Sequence, residues 1–150
     1  MRIYLVIMDE TPEALKALRF ASRRAMKTGG NVHILAPVQR ESFNAFGGVQ
    51  ATIEQEALDR AEVIAHSAAG SLFAEIGKMP VIAVRTGDTQ KVIRQYLDEH
   101  AEVAALVLGT AAEGGPGPLV TYFSGQAGAL PCPVYIVPGT FTDEDIDRLA

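Results

Sequence analysis

Apolar residues recur in five short runs, at residues 3–8, 32–38, 81–85, 103–108 and Val134–Val137, each rich in Val, Ile and Leu and bounded by turn residues. Runs without polar alternation predict strands buried on both faces. The stretches between them have helical spacing. The first helix has Thr11 as N-cap, Pro12 in its first turn, Ala14, Leu18, Ala21 and Ala25 on one face, and Gly29-Gly30 at its end. A long second helix is expected over about 49–76, charged on one side, with Gly70 as a candidate break; the segment before it, 41–48, has no clear pattern. A third opens at Gly87-Asp88-Thr89, turns Val92, Ile93, Tyr96 and Leu97 inward and ends at His100, where a cation suits the helix dipole. A short fourth helix begins near Pro118, and Thr142 followed by Asp143-Glu144-Asp145 predicts a last short one. Strands alternating with helices give an α/β fold, a parallel sheet with helices on both faces. Right-handed crossovers on both sides of the first strand place it at the sheet's centre.

Length and composition narrow the class. A chain of 150 residues suits one domain, and 48% hydrophobic with 21% charged residues is ordinary for a globular protein. No apolar run approaches the roughly 20 residues that span a bilayer, and the N-terminal run stops at Asp9-Glu10 without a cleavage signature, so it reads as a strand. One cysteine, Cys132, precludes an internal disulfide and fits a reducing compartment, with the cytoplasm as the expected location. A net charge of −5 argues against a nucleic-acid surface, and Arg23-Arg24-Lys27 reads as a solvated helix face.

Several chemistries lack their residues. The first strand runs into Met8-Asp9-Glu10-Thr11-Pro12 without the glycines of a dinucleotide turn, and no Gly-Lys-Ser/Thr tripeptide exists for a Walker loop. His33, His66 and His100 fall on a strand, a long helix and a helix end, without a Cys or carboxylate at ligand spacing, so no metal site is expected. No Gly-x-Ser-x-Gly elbow accompanies any serine, and Cys132 sits between two prolines with no base beside it. No catalytic residue is assigned.

One constellation remains. In a parallel sheet the carboxyl ends of the strands share one edge, where ligands bind, and Asp9 and Gly109 end the first and fourth strands there. Gly109 opens a loop through Gly114, Gly115 and Gly117 into a helix start before Thr121. Such a loop offers N–H groups and a positive dipole end to an anion such as phosphate; alternatively it is a stiff connector whose glycines serve tight turns.

The strand ending in Asp9 before a Pro-started helix, Ile34-Leu35-Ala36-Pro37-Val38, Leu106-Val107-Leu108-Gly109 and Pro131-Cys132-Pro133-Val134, in this order, resemble the landmarks of the universal stress protein family over nearly the whole chain. The resemblance implies a three-layer sandwich with a five-stranded parallel sheet in the order 3-2-1-4-5, a homodimer, and in many members an ATP site at the carboxyl edge. It places Asp9 near the ribose or a metal, the Val38 backbone at the adenine and Gly109 at the strand end, with Thr121 as a conditional phosphate contact; Gly114, Gly115 and Gly117 are nucleotide-binding candidates from the glycine-rich loop itself. The dimer would pair Val134, Tyr135, Ile136 and Val137 with their copies.

The family's Gly-x-x-Gly, nine residues, Gly-Ser/Thr pattern is altered: Ala112 replaces the second glycine, and Val120-Thr121 follow after seven residues. Pro116 and Pro118 remove N–H donors, and no Lys or Arg lies between Arg94 and Arg148, leaving Arg40 or a magnesium ion as sources of positive charge. The expectation is a dimeric stress protein that binds adenine nucleotide weakly, ADP and AMP nearly as well as ATP, without chemistry of its own. The alternatives are a nucleotide-free signalling scaffold and a slow ATP hydrolase with Asp9 positioning a metal-bound water.

Overall fold

The computed structural model describes residues 1–40 and 47–150, so most of the patternless segment 41–48 lies outside the described residues. Its elements are β1 (Ile3–Ile7), α1 (Pro12–Thr28), β2 (Asn31–Val38), α2 (Gly47–Ile76), β3 (Val81–Thr86), α3 (Thr89–Glu99), β4 (Val103–Gly109), α4 (Pro118–Gly125), β5 (Val134–Val137) and α5 (Asp143–Leu149), with a short 3-10 turn at Ala127–Ala129. The five strands form one parallel sheet in the order β3-β2-β1-β4-β5, with β1 central.

The alternation of side chains along β1 splits the interior into two layers. Tyr4, Val6 and Met8 pack with the Ala14, Ala17, Leu18, Ala21 and Ala25 stripe of α1, with Ala65, Ala69 and Leu72 of α2, and with Ile146 of α5. Ile3, Leu5 and Ile7 face the other way, onto Val92, Ile93, Tyr96 and Leu97 of α3 and Val120 and Phe123 of α4. Leu5 and Val6 are fully buried, each contributing about 1.5–3 kcal/mol. The alanines on α1 let that helix lie close to the sheet.

Burial on both faces does not extend to β3. Val81 is 45% exposed, Arg85 and Thr86 are exposed, and the residues between are half-buried, because β3 is an edge strand. β5, the other edge, leaves Ile136 41% exposed. Helix α2 continues through Gly70 unbroken; that glycine is exposed with open space around it, and its cost of about 1 kcal/mol against alanine is spread over a 30-residue helix. The Asp88 carboxylate accepts the Lys91 N–H at 3.2 Å and starts α3, and Thr142 and Asp145 form a reciprocal capping box on α5. Among the described residues, no helix is long and apolar enough to cross a membrane.

Candidate functional site

A cleft of about 490 Å³ opens at the carboxyl edge, where the chain leaves β1, β2 and β3. Its floor is Met8 and Asp9 just after β1 and Pro37, Val38 and Gln39 at and just after the end of β2; one wall is Ala57, Arg60, Ala61 and Ile64 of α2; the far side is Asp88, Thr89 and Gln90 at the start of α3 and Pro118 and Leu119 at the start of α4. The floor is fixed by backbone hydrogen bonds between strand ends. Met8 N–H donates to Leu35 O at 2.8 Å, and Gly87 N–H to Val38 O at 2.9 Å.

Asp9 is oriented by its own turn. Its Oδ1 accepts the Thr11 hydroxyl at 2.6 Å and the Thr11 N–H at 3.4 Å, so Thr11 marks the helix start without capping α1 through its side chain. Its Oδ2 makes no hydrogen bond to a described residue and is available to a ligand. Between them Glu10 holds a φ of 65°, the one positive value at a non-glycine among the described residues. Backbone strain of this kind costs about 1–3 kcal/mol and concentrates at functional turns. Glu10 in turn reaches Arg60 at 3.7 Å.

The expected site residues separate into two groups. Asp9 and Val38 line the cleft. The Val38 carbonyl already accepts from Gly87, so an adenine amino group would meet only its second lone pair. Gly109 lies outside the cleft lining, beside a much smaller hollow shared with Asp9, Thr11 and Glu13. A Cβ on Gly109 would sit 2.3 Å from the Glu13 carbonyl oxygen, so its glycine is demanded by the close approach of α1 to β4. Gly114, Gly115 and Gly117 are also absent from the lining; they hold φ values of 77°, 93° and 95° with open space around them, which fits a connector needing tight turns. Thr121 is exposed on α4, its hydroxyl donating to Gly117 O at 2.9 Å rather than into the cleft.

The loop is also short of donors. Thr110 N–H is taken by Val137 O and Ala111 N–H by Pro116 O, and Pro118 has none, so near the cleft the first turn of α4 offers the N–H groups of Leu119 and Val120. Arg40, one of the two expected sources of positive charge, is exposed outside the lining, and the cation that lines the cleft is Arg60. Arg60, Gln39 and the Asp88-Thr89-Gln90 turn were not anticipated from sequence. The last had a signal, since it follows β3 at the same sheet edge as Asp9. Apolar surface beside Val38 and Ile64 suits a flat base, and Asp9 Oδ2 suits a sugar hydroxyl. Three carboxylates, from Asp9, Glu10 and Asp88, against one guanidinium suit a single phosphate better than three.

The sequence matches the universal stress protein family profile over residues 1–138. The chain belongs to the universal stress protein family. No curated protein matches it. Among solved structures, universal stress protein UspA from Lactobacillus plantarum superposes with a TM-score of 0.79 at 16% identity, covering 91% of this chain and 97% of that one. A family protein from Arabidopsis thaliana with AMP bound gives 0.56 at 17% identity, covering 96% and 95%. The universal stress protein from Archaeoglobus fulgidus in complex with dAMP gives 0.52 at 16% identity, covering 91% and 97%. At these identities the likeness establishes the fold, and the universal stress protein described here has the family's sheet order.

Proposed function

We propose that this protein is an adenine-nucleotide binding module whose cleft recognises the nucleoside and one phosphate, and that it acts as a homodimeric single-domain stress protein in the cytoplasm. The observation that carries the reading is the junction of an apolar slot, between Val38 on β2 and Ala61 and Ile64 on α2, with the turn-held carboxylate of Asp9. Relatives of the same fold bound to AMP and dAMP support it. Arg60 and the first turn of α4 would meet the phosphate. ATP would need Mg²⁺ to offset the surrounding carboxylates, with Asp9 Oδ2 its available ligand.

Binding is favoured over hydrolysis because the lining carboxylates already hold partners in the fold, Asp9 Oδ1 with Thr11 and Asp88 with the start of α3, and the unpaired Asp9 Oδ2 suits a ligand hydroxyl. Dimerisation through Val134–Val137 is supported by the exposed Ile136 on an edge strand, since an uncovered apolar edge invites pairing. Amide chemical-shift mapping with AMP tests the site. Shifts should concentrate at Asp9, Val38, Ile64 and Leu119; shifts confined to Gly114 and Gly115, or none at millimolar AMP, would overturn it, and the second result would favour a nucleotide-free scaffold.

A further inference from the structure

At the edge of the sheet opposite the cleft, the fold gathers three side chains that are remote in sequence: His33 from the start of β2, His100 at the end of α3, and Glu102 in the turn before β4. One ligating atom from each lies within 4.8 Å of the other two. His33 is buried, 6% exposed, and its Nδ1 is 2.7 Å from the Tyr96 hydroxyl. His100 Nδ1 is 2.9 Å from Glu102 Oε1, and its ring stacks on Tyr96 with centroids 4.0 Å apart. We propose that His33, His100 and Glu102 form a three-ligand site for a divalent transition metal, Zn²⁺ being the best match, with a fourth position open to water.

Two imidazoles and one carboxylate are a donor set that Zn²⁺ accepts, at about 2.0–2.2 Å from each atom. The ligating atoms of a tetrahedral ion sit about 3.3 Å apart, so separations of up to 4.8 Å need to close by up to about 1.5 Å. That movement falls to Glu102 and His100, which are 51% and 27% exposed at the side chain, and the buried histidine stays fixed. Tyr96 offers the outer contact that metal-bound histidines require: its hydroxyl lies 2.7 Å from His33 Nδ1, and in the tautomer with Nδ1 protonated that N–H donates to it and Nε2 is left for the ion. His100 also terminates α3, where the negative end of the helix dipole favours a cation. Arg85, whose guanidinium lies 5.9 Å from the Tyr96 ring centre, is offset by Glu99 at 3.7 Å. The ion would brace the α3–β4 turn against β2, and the site does not depend on the nucleotide reading.

Tag-free protein stripped with chelator should be titrated with Zn²⁺ by calorimetry and with Co²⁺ by visible absorption. The expected result is one equivalent of Zn²⁺, tetrahedral Co²⁺ bands, and an affinity lowered about tenfold or more by Glu102→Gln and by His100→Asn. Both positions are solvent-accessible, and circular dichroism confirms the variants' fold. His66→Asn is the control for the exposed Glu62–His66 pair, at 3.7 Å, and should leave binding unchanged. No Zn²⁺ binding at about 100 µM, full binding by the Glu102→Gln, His100→Asn double variant, or loss of binding in His66→Asn would each overturn the proposal.

Discussion

Substituting Gly109 by alanine separates the two roles that a glycine at the end of β4 can have. The added Cβ would lie 2.3 Å from the Glu13 carbonyl oxygen and 3.0 Å from the Glu13 carbonyl carbon, all but the Glu13 Cβ contact being backbone that cannot rotate away. Relief requires the first turn of α1 to lift off β4 by about an ångström, and overpacking of this kind costs about 1–3 kcal/mol, the upper end applying to rigid neighbours. The φ of Gly109 is not in the left-handed region, so alanine brings no backbone strain, and its smaller unfolded-state entropy returns about 0.4–1 kcal/mol. The net loss is about 2 kcal/mol. At about 2–4 °C per kcal/mol for a chain of this size, Tm should fall by about 4–8 °C. Because α1 starts directly after Thr11, which holds Asp9, AMP affinity should fall as well, but only together with stability. Thermal denaturation followed by circular dichroism, paired with AMP titration well below the melting range, gives both quantities. An unchanged Tm with lost AMP binding would refute the packing argument and return Gly109 to direct contact with the ligand.

Other expectations follow from single groups. Arg60→Ala should weaken AMP by about tenfold, the worth of one charge-assisted hydrogen bond, while leaving adenosine nearly unaffected in parallel titrations; equal loss for both would mean that Arg60 does not meet the phosphate. Ile136→Lys should shift the protein to monomer in light scattering, and an unaltered dimer would exclude β5 as the interface. The hydrogen bond from Arg19, helped by Arg23, holds the Asp147 carboxyl below its ordinary pKa. The tie between α1 and α5 is therefore fully present above the ordinary aspartate range near pH 4 and is lost as pH falls through the lowered folded value. Hydrogen exchange should show α5 loosening on acidification below pH 4, and Asp147→Asn should reduce that pH dependence to the part carried by the Asp145 capping box, whose carboxyl is also lowered; unreduced acid sensitivity in the variant would assign it to other groups.

The sheet was legible because uninterrupted apolar runs such as 3–8 and 103–108 can only be strands covered on both sides, and alternation with helices leaves few topologies. That logic over-reached at β3, where Val81, Ile82, Ala83 and Val84 look like a central strand but lie at an edge. Local composition does not encode the number of neighbours a strand has. The place of Asp9 and Val38 at the carboxyl edge was legible since strand ends are read from the same runs, and both line the cleft. The glycines of the loop lie outside the cleft lining, and a glycine signals an unusual backbone need without saying which: Gly109 meets close helix packing, and Gly114, Gly115 and Gly117 hold the left-handed backbone of a turn. Arg60 was invisible because the sequence shows which residues share a face of α2 but not where along the helix that face meets the cleft. The His33, His100 and Glu102 cluster was hidden for a related reason. No motif spacing links residues 33 and 100, which only the packing of α3 against β2 brings together.

The claim that the cleft reads adenosine and one phosphate is tested most directly by calorimetry with adenosine, AMP, ADP and ATP on one preparation, with and without Mg²⁺. AMP should bind with a Kd on the order of micromolar to tens of micromolar, adenosine about tenfold more weakly, and ADP and Mg-ATP no better than AMP. Nanomolar ATP binding with AMP excluded, or binding of none of the four, would contradict it.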